Sequence, residues 1–309
     1  MTGLQPSGQL HIGNYFGAIA PFLERYEEFE SFLMIADYHA LTTLQEKDEL
    51  NTNIFEIAVD YLACGLDPTK VVMFRQSDVQ EHTELAWIFE CLVTVPFLMK
   101  AHAYKDKVAK GLEANAGLFN YPMLMAADIL LYDAELVPVG EDQRQHIEYT
   151  REAAHKFNSV YGNVFTPPQE ITLEKVGVVP GTDGQKMSKS YGNTIPLFGT
   201  RGEIQKAVMS IVTDSKSTFP EHVHAIHKLY KDEGKLKLLY EQNRENYKAL
   251  KEALIEDIDT HSTPLREKRQ AVASNKTDVL EILNEGAQKA RELAAKKMAI
   301  VRDKIGITL

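Results

Sequence analysis

Short, unbroken apolar runs alternate with segments of helical period through the first two thirds of this chain, and the alternation stops near Pro196. Ser31-Phe32-Leu33-Met34-Ile35-Ala36 reads as a buried strand and stops at Asp37. Val71-Val72-Met73-Phe74 and Leu136 to Val139 repeat the pattern. A strand apolar on both faces must be covered on both, which favours parallel strands packed between helices. Between the first two runs, Glu49 to Cys64 places Ile54, Ile57, Ala58, Tyr61 and Leu62 at helical spacing, with Gly65 and then Pro68 as stop signals. Thr83 to Val95 reads as the next helix, and a further helix is expected from about Asp142 to Tyr161. The chain opens Met1-Thr2-Gly3, so a strand there is expected to be very short. The fold class is therefore α/β, a doubly wound parallel sheet, in which ligands sit at the carboxyl ends of the strands.

Beyond Pro196 no strand is expected. Ile204, Val208 and Ile211 sit at helical spacing, followed by Leu236 to Tyr240 and Tyr247 to Ile258. Asp278 is placed to cap a last long helix that would bury Val279, Ile282, Leu283, Ala290 and Leu293. The chain thus divides into an α/β domain over 1–196 and an all-helical domain over 197–309, with the last helix a candidate to pack back on the first. Formal net charge is −10, yet it is unevenly spread: −13 over residues 1–196 and +3 over 197–309. The mildly basic part leaves contact with RNA open, since phosphate recognition needs local rather than total charge. The apolar stretch Pro122 to Tyr132 is interrupted by Asp128 and is too short to span a bilayer, and no secretory leader is evident. Cys64 and Cys91 read as buried, reduced thiols of a cytoplasmic protein. His222, His224 and His227 lack an acidic or cysteine partner pattern and read as a surface helix rather than a metal site.

Two polar loops carry the chemistry. Gly3 to Asn14, GLQPSGQLHIGN, reads as strand end, turn and helix start. A helix N-terminus there offers free N–H groups to an anion, His11 and Asn14 fall on one face, and Gly13 lets a ring or phosphate approach. The second loop, Gly181 to Ser190, contains Lys186-Met187-Ser188-Lys189-Ser190. Two ammonium groups on one polyphosphate would offset the charge developing on departing pyrophosphate. No GxGxxG or Walker A sequence occurs. Either loop alone is common; HIGN near the start of an α/β domain with KMSKS just before a helical one is not.

That pairing resembles the signatures of the class I aminoacyl-tRNA synthetases, and Asn14 in the last position of the first signature fits the tryptophan and tyrosine branch. Within the branch, MAAD at Met125 to Asp128, VPVGEDQ at Val137 to Gln143 and ADYHALT at Ala36 to Thr42 resemble its tryptophan side, with the close likeness covering about residues 3–195. Independently, Asp128 is a carboxylate inside an apolar helix and needs a donor, either a protein group in the core or a ligand N–H; an indole nitrogen is donor only and a carboxylate acceptor only, so the two are suited. The resemblance implies a Rossmann-like catalytic domain and a helical anticodon-binding domain. It implies that Asp128 accepts from the indole, that Met125 and Val139 wall the ring, that Tyr121 and Gln143 orient the α-amino group, and that His39 borders the pocket. His11, Asn14, Lys186 and Lys189 would serve the ATP phosphates as the catalytic set, with Gly13 under the adenosine. Gln5, Met187, Ser188, Ser190, Gly140 and Asp142 would complete the ATP site, and Lys107 is a further phosphate or carboxylate candidate. Implied partners are ATP with Mg²⁺ on its phosphates and no protein-held metal, L-tryptophan and tRNA(Trp); the assembly expected is a homodimer with no membrane association. A tyrosine-activating relative, a small-molecule nucleotidyltransferase and a non-catalytic RNA-binding relative remain as alternatives, separable by which amino acid drives exchange of pyrophosphate into ATP.

Overall fold

A computed structural model describes residues 1–109, 111, 113–138, 144–171, 178–213, 219–244 and 246–308, with the backbone alone for Ala103, Asp106 and Lys107. β1 (Thr2–Leu4), β2 (Ser31–Ile35) and β3 (Val71–Arg75) form a parallel three-stranded sheet in that order, and β4 (Leu136–Pro138) pairs in parallel with β5 (Gln169–Ile171). The Met1 amino nitrogen donates to the Leu136 carbonyl at 3.1 Å, which places β4 beside the start of β1. The first strand is as short as expected. All five residues of β2 are buried, as a strand covered on both faces must be.

The amino-terminal helices are α1 (Ile12–Asn14), a π-helical turn over Tyr15–Ile19, α2 (Ala20–Arg25), α3 (Asp37–Ala40) and α4 (Lys47–Cys64). Gly65 ends α4 at φ 111°, in the left-handed region that glycine enters without a Cβ clash. Next come α5 (Glu81–Glu90), α6 (Val95–Leu98), α7 (His102–Ala109), α8 (Ala116–Leu130) and α9 (Arg144–Tyr161). The helix expected over Thr83 to Val95 therefore ends early, at Glu90, and Val95 starts the next one. Pro96 has no N–H to continue α5, and it opens α6 near its first position, where none is needed.

The helical part comprises α10 (Arg201–Met209), α11 (Glu221–His227), α12 (Glu233–Gln242), α13 (Tyr247–Ser274) and α14 (Lys276–Ile305). α14 returns to the sheet: Ala287, Ala290, Ala294, Met298 and Val301 share a buried cluster with Phe32, Met34 and Phe74. A Cβ on Gly286 would overlap the Met73 main chain, so glycine is what lets α14 lie directly on β3. Arg269 of α13 ties the helical part to α4 through Asp60, at 2.5 Å, and Glu56.

Four local expectations are corrected. Asn275, not Asp278, precedes α14; Asp278 lies in its first turn and accepts from the Asn275 amide at 2.6 Å. Leu293 is exposed, because the alanines of α14 make the buried stripe. Cys91 is exposed and Cys64 half-buried, since the turn ending α5 carries Cys91 to the surface. α11 is not a surface helix throughout: His227 is fully buried, with Nε2 2.7 Å from Asp257 Oδ2.

Candidate active site

The two signature loops are physically joined. Ile12 N donates to the Ile195 carbonyl at 3.0 Å and Leu197 N to the Leu10 carbonyl at 3.1 Å, so the chain leaving KMSKS zips against the chain entering α1. His11 precedes α1 as its cap: Asn14 N donates to His11 Nδ1 at 3.2 Å, and His11 N donates to Asn14 Oδ1 at 3.1 Å. The reciprocal pair satisfies donors that a helix start leaves open. It also fixes the imidazole tautomer: with Nδ1 accepting, Nε2 carries the proton and is the available donor. Burial, reinforced by the Lys189 charge, holds the His11 pKa down at about 4, so the ring is neutral at ordinary pH. A Cβ on Gly13 would stand 2.9 Å from His11 Nδ1 and 3.2 Å from Met187 Cβ, so this glycine lets the two loops close on one another.

Met187 is a core residue, buried with Leu10 and Ile12, while its neighbours face outward. Its N–H donates to the Val179 carbonyl at 2.9 Å. Ser188 and Ser190 share a hydroxyl hydrogen bond at 2.8 Å. Lys189 reaches across to the first loop and donates to the Gly8 carbonyl at 2.9 Å and the Ser7 carbonyl at 3.0 Å. Lys186 is exposed, beside a bridge between its own backbone and Pro180.

A second group forms a cavity of about 410 Å³ at the carboxyl ends of β1 and β2, lined by Gln5, His39, Tyr121, Met125, Asp128 and Val137 among others. Tyr121, Met125 and Asp128 are four and three residues apart on α8, which sets them on one face. Asp128 is 3% exposed and accepts three protein hydrogen bonds. Oδ1 accepts from Gln76 Nε2 and His82 Nδ1, each at 2.7 Å, and Oδ2 lies 2.8 Å from His39 Nε2. Burial alone would raise the Asp128 pKa; the hydrogen bonds and charges of His39 and His82 outweigh it and leave the carboxyl at about 2. Among the described residues Oδ1 accepts from two donors and Oδ2 from one, which leaves Oδ2 an acceptor position. Tyr121 pairs through its hydroxyl with His146 Nε2 at 2.7 Å, and burial, with Tyr149 nearby, pushes the phenol up to about 12.

The structure therefore gathers Gln5, His39, Tyr121, Met125 and Asp128 in one cavity, and His11, Gly13, Asn14, Met187, Ser188 and Lys189 around the joined loops. Residues 5 to 8 connect the two, running from the cavity wall at Gln5 to the carbonyls that hold Lys189. Val139, Gly140, Asp142 and Gln143 lie outside the described residues, as does the Lys107 side chain. Gln76, His82, Tyr132 and Asn193 were not anticipated. Gln76 had a signal, being the first residue beyond β3, in the position that Ala36 and Asp37 hold after β2. His82 had a weaker one, as a histidine one turn ahead of Leu85 and Ala86; its Nε2 meets the Tyr132 hydroxyl at 2.8 Å.

A family model described as tRNA synthetases class I (W and Y) matches residues 1–277. A tryptophan–tRNA ligase of Fusobacterium nucleatum is 44% identical over 99% of this chain and 97% of its own length, and one of Campylobacter jejuni is 46% identical over 99% of both. The solved structure of Campylobacter jejuni tryptophanyl-tRNA synthetase complexed with ADP and tryptophan superposes with a TM-score of 0.92 at 46% identity, covering 99% of this chain and 98% of that one.

Proposed function

The chain belongs to the class I tRNA synthetases of the tryptophan and tyrosine group, as one of the tryptophan–tRNA ligases, and we propose that its two loops and its Asp128 cavity divide the chemistry between them. The enzyme activates L-tryptophan with ATP and transfers it to tRNA. A carboxylate oxygen of tryptophan attacks the α-phosphorus as the bond to the β-phosphate oxygen breaks, giving tryptophanyl-adenylate and pyrophosphate. A ribose hydroxyl at the 3′ end of tRNA(Trp) then attacks the acyl carbon and AMP leaves. Neither step needs a covalent enzyme intermediate, so the protein acts by positioning and charge.

The observation that carries the division of labour is the buried, ionised Asp128 with one acceptor position left on the cavity wall. Tryptophan lies with its indole N–H on Asp128 Oδ2, its ring against Met125 and its amino end toward Tyr121. ATP lies over α1, where His11 Nε2 and the Asn14 side chain face its phosphates and Lys189 moves from the Ser7 and Gly8 carbonyls onto phosphate oxygens. Lys186 supplies the second ammonium. Mg²⁺ would enter with ATP and offset the charge of its phosphates. Residues 1–196 form the catalytic domain and 197–309, with their excess of basic groups, the part that reads the anticodon, α14 excepted in its packing on β3. No helix among the described residues is long and apolar enough to cross a membrane; on this reading the enzyme charges tRNA in the cytoplasm. The test is exchange of labelled pyrophosphate into ATP: it runs with tryptophan and not with tyrosine, and exchange driven by tyrosine alone would overturn the assignment.

The enzyme works as a homodimer on this reading. Trp87 in α5, Val95 in α6 and Met99 just after it are 67%, 58% and 49% exposed, apolar side chains that a second copy would cover. Sedimentation at micromolar concentration should give twice the mass of the 34.8 kDa chain, and Trp87→Glu should shift it to monomer. A wild-type monomer, or a variant that stays dimeric, contradicts this interface.

A further inference from the structure

Asn193 stands three residues beyond KMSKS and is 2% exposed. Its Oδ1 accepts from Ser188 N at 2.7 Å, and its Nδ2 donates to Asp183 Oδ1 at 2.7 Å and to the Lys186 carbonyl at 3.1 Å. Its main-chain carbonyl accepts from Thr182 N at 2.9 Å. One buried side chain thus grips the loop before the first lysine, at it and between the two. The partners dictate the residue: Ser188 offers an N–H and needs an acceptor, while Asp183 and the Lys186 carbonyl need donors. Among side chains of this length only a carboxamide supplies both. Gly181 leaves the room, since a Cβ there would overlap the Asn193 carboxamide. The same bond holds the Asp183 carboxyl below its usual range.

We infer that Asn193 is a positioning residue for amino acid activation, which fixes the spacing of Lys186 and Lys189 without touching ATP or tryptophan itself. Ser188 lies directly before Lys189, so anchoring Ser188 N and the Lys186 carbonyl to one rigid plane sets both lysine backbones at once. The inference rests on the reading that these lysines serve ATP. Misplacing a charged group by an ångström lowers a positioned reaction steeply even when every group is still present.

The experiment compares Asn193→Asp, Gly181→Ala and Lys189→Ala in the full-length enzyme, with single-turnover adenylate formation, equilibrium tryptophan binding and transfer from preformed adenylate to tRNA each measured. Asn193→Asp keeps the volume and the acceptor for Ser188 but loses both donors and turns a carboxylate toward Asp183. Its adenylate formation is expected to fall roughly a hundredfold, as for a misplaced reacting group. Tryptophan binding and transfer from preformed adenylate should stay at wild-type values. Adding Asp183→Asn restores a donor to the pair and should recover about tenfold of the loss, the scale of coupling between contacting polar groups. Should Asn193→Asp fail to fold, Gly181→Ala displaces the carboxamide while leaving its hydrogen-bonding groups intact, and the same selective loss is expected. A wild-type adenylate rate in Gly181→Ala or in folded Asn193→Asp, parallel loss of tryptophan binding, or no rescue by Asp183→Asn overturns the inference. If Lys189→Ala is itself without effect on adenylate formation, the underlying ATP reading fails instead.

Discussion

Lys189→Ala is expected to slow tryptophanyl-adenylate formation by about 10²–10³-fold, the loss that follows removal of one group stabilising developing charge. In the structure the Lys189 ammonium rests on two backbone carbonyls of the first loop, at 2.9 and 3.0 Å, and its charge helps keep His11 neutral. Two neutral carbonyls are weaker partners for an ammonium than a polyphosphate, because phosphate oxygens add the attraction of opposite charges to the hydrogen bond. ATP therefore has a lysine already held over the first loop and needing only to exchange acceptors. On the proposed division of labour tryptophan occupies the Asp128 cavity, apart from this contact, so its equilibrium binding should be unchanged by the substitution. Rapid-quench measurement of adenylate together with equilibrium dialysis of tryptophan checks both halves. Equal loss of the two would show that Lys189 holds the fold of the site rather than the phosphates.

Asp128→Asn is expected to lower kcat/KM for tryptophan by roughly two to three and a half orders of magnitude, about what 3–5 kcal/mol for breaking a buried charged pair implies. Gln76, His82 and His39 all present N–H groups to the carboxylate. An asparagine must turn its own NH₂ toward at least one of them, which leaves donors facing each other in a buried site and removes the acceptor offered to the indole. Selectivity against amino acids without the N–H should shrink as well, since the wild-type site strands a charge when they bind. The pH dependence has a definite sign. With the folded pKa depressed to about 2, the Asp128 contribution to stability is complete above the ordinary carboxylate range, about 4, and is lost as pH falls through 2. Acid unfolding of Asp128→Asn should lack that component.

The elements of the α/β part were legible because β2 and β3 are short, apolar on both faces and ended by a polar residue, a pattern with few other solutions. Gly65 stopped α4 where a left-handed residue was required. The early end of α5 at Glu90 was missed because Leu92, Val93 and Val95 keep an apolar rhythm beyond it, and rhythm alone does not register the turn before Pro96. Asp128 was legible as a carboxylate in an apolar helix, and its need for donors followed from charge alone. Which donors it finds was not legible: Gln76 and His82 come from 52 and 46 residues away in the chain, brought together by β3 and α5. Asn193 was hidden for a different reason. Its role lies in how one side chain satisfies three backbone and side-chain groups of a turn, and nothing in its neighbours marks that geometry before the turn is formed.

The central claim, that Asp128 makes an ATP-dependent acid activator specific for tryptophan, is tested most directly by one comparison in the wild-type enzyme. Pyrophosphate exchange is measured with tryptophan and with its isostere in which sulfur replaces the indole N–H, matched in size and ring shape. A carboxylate that accepts from the indole predicts discrimination of about 10⁴-fold in kcat/KM, as for sites built to bond a polar group that the analogue lacks. Equal kcat/KM for the two amino acids would contradict it and leave Asp128 as a partner of His39, His82 and Gln76 alone.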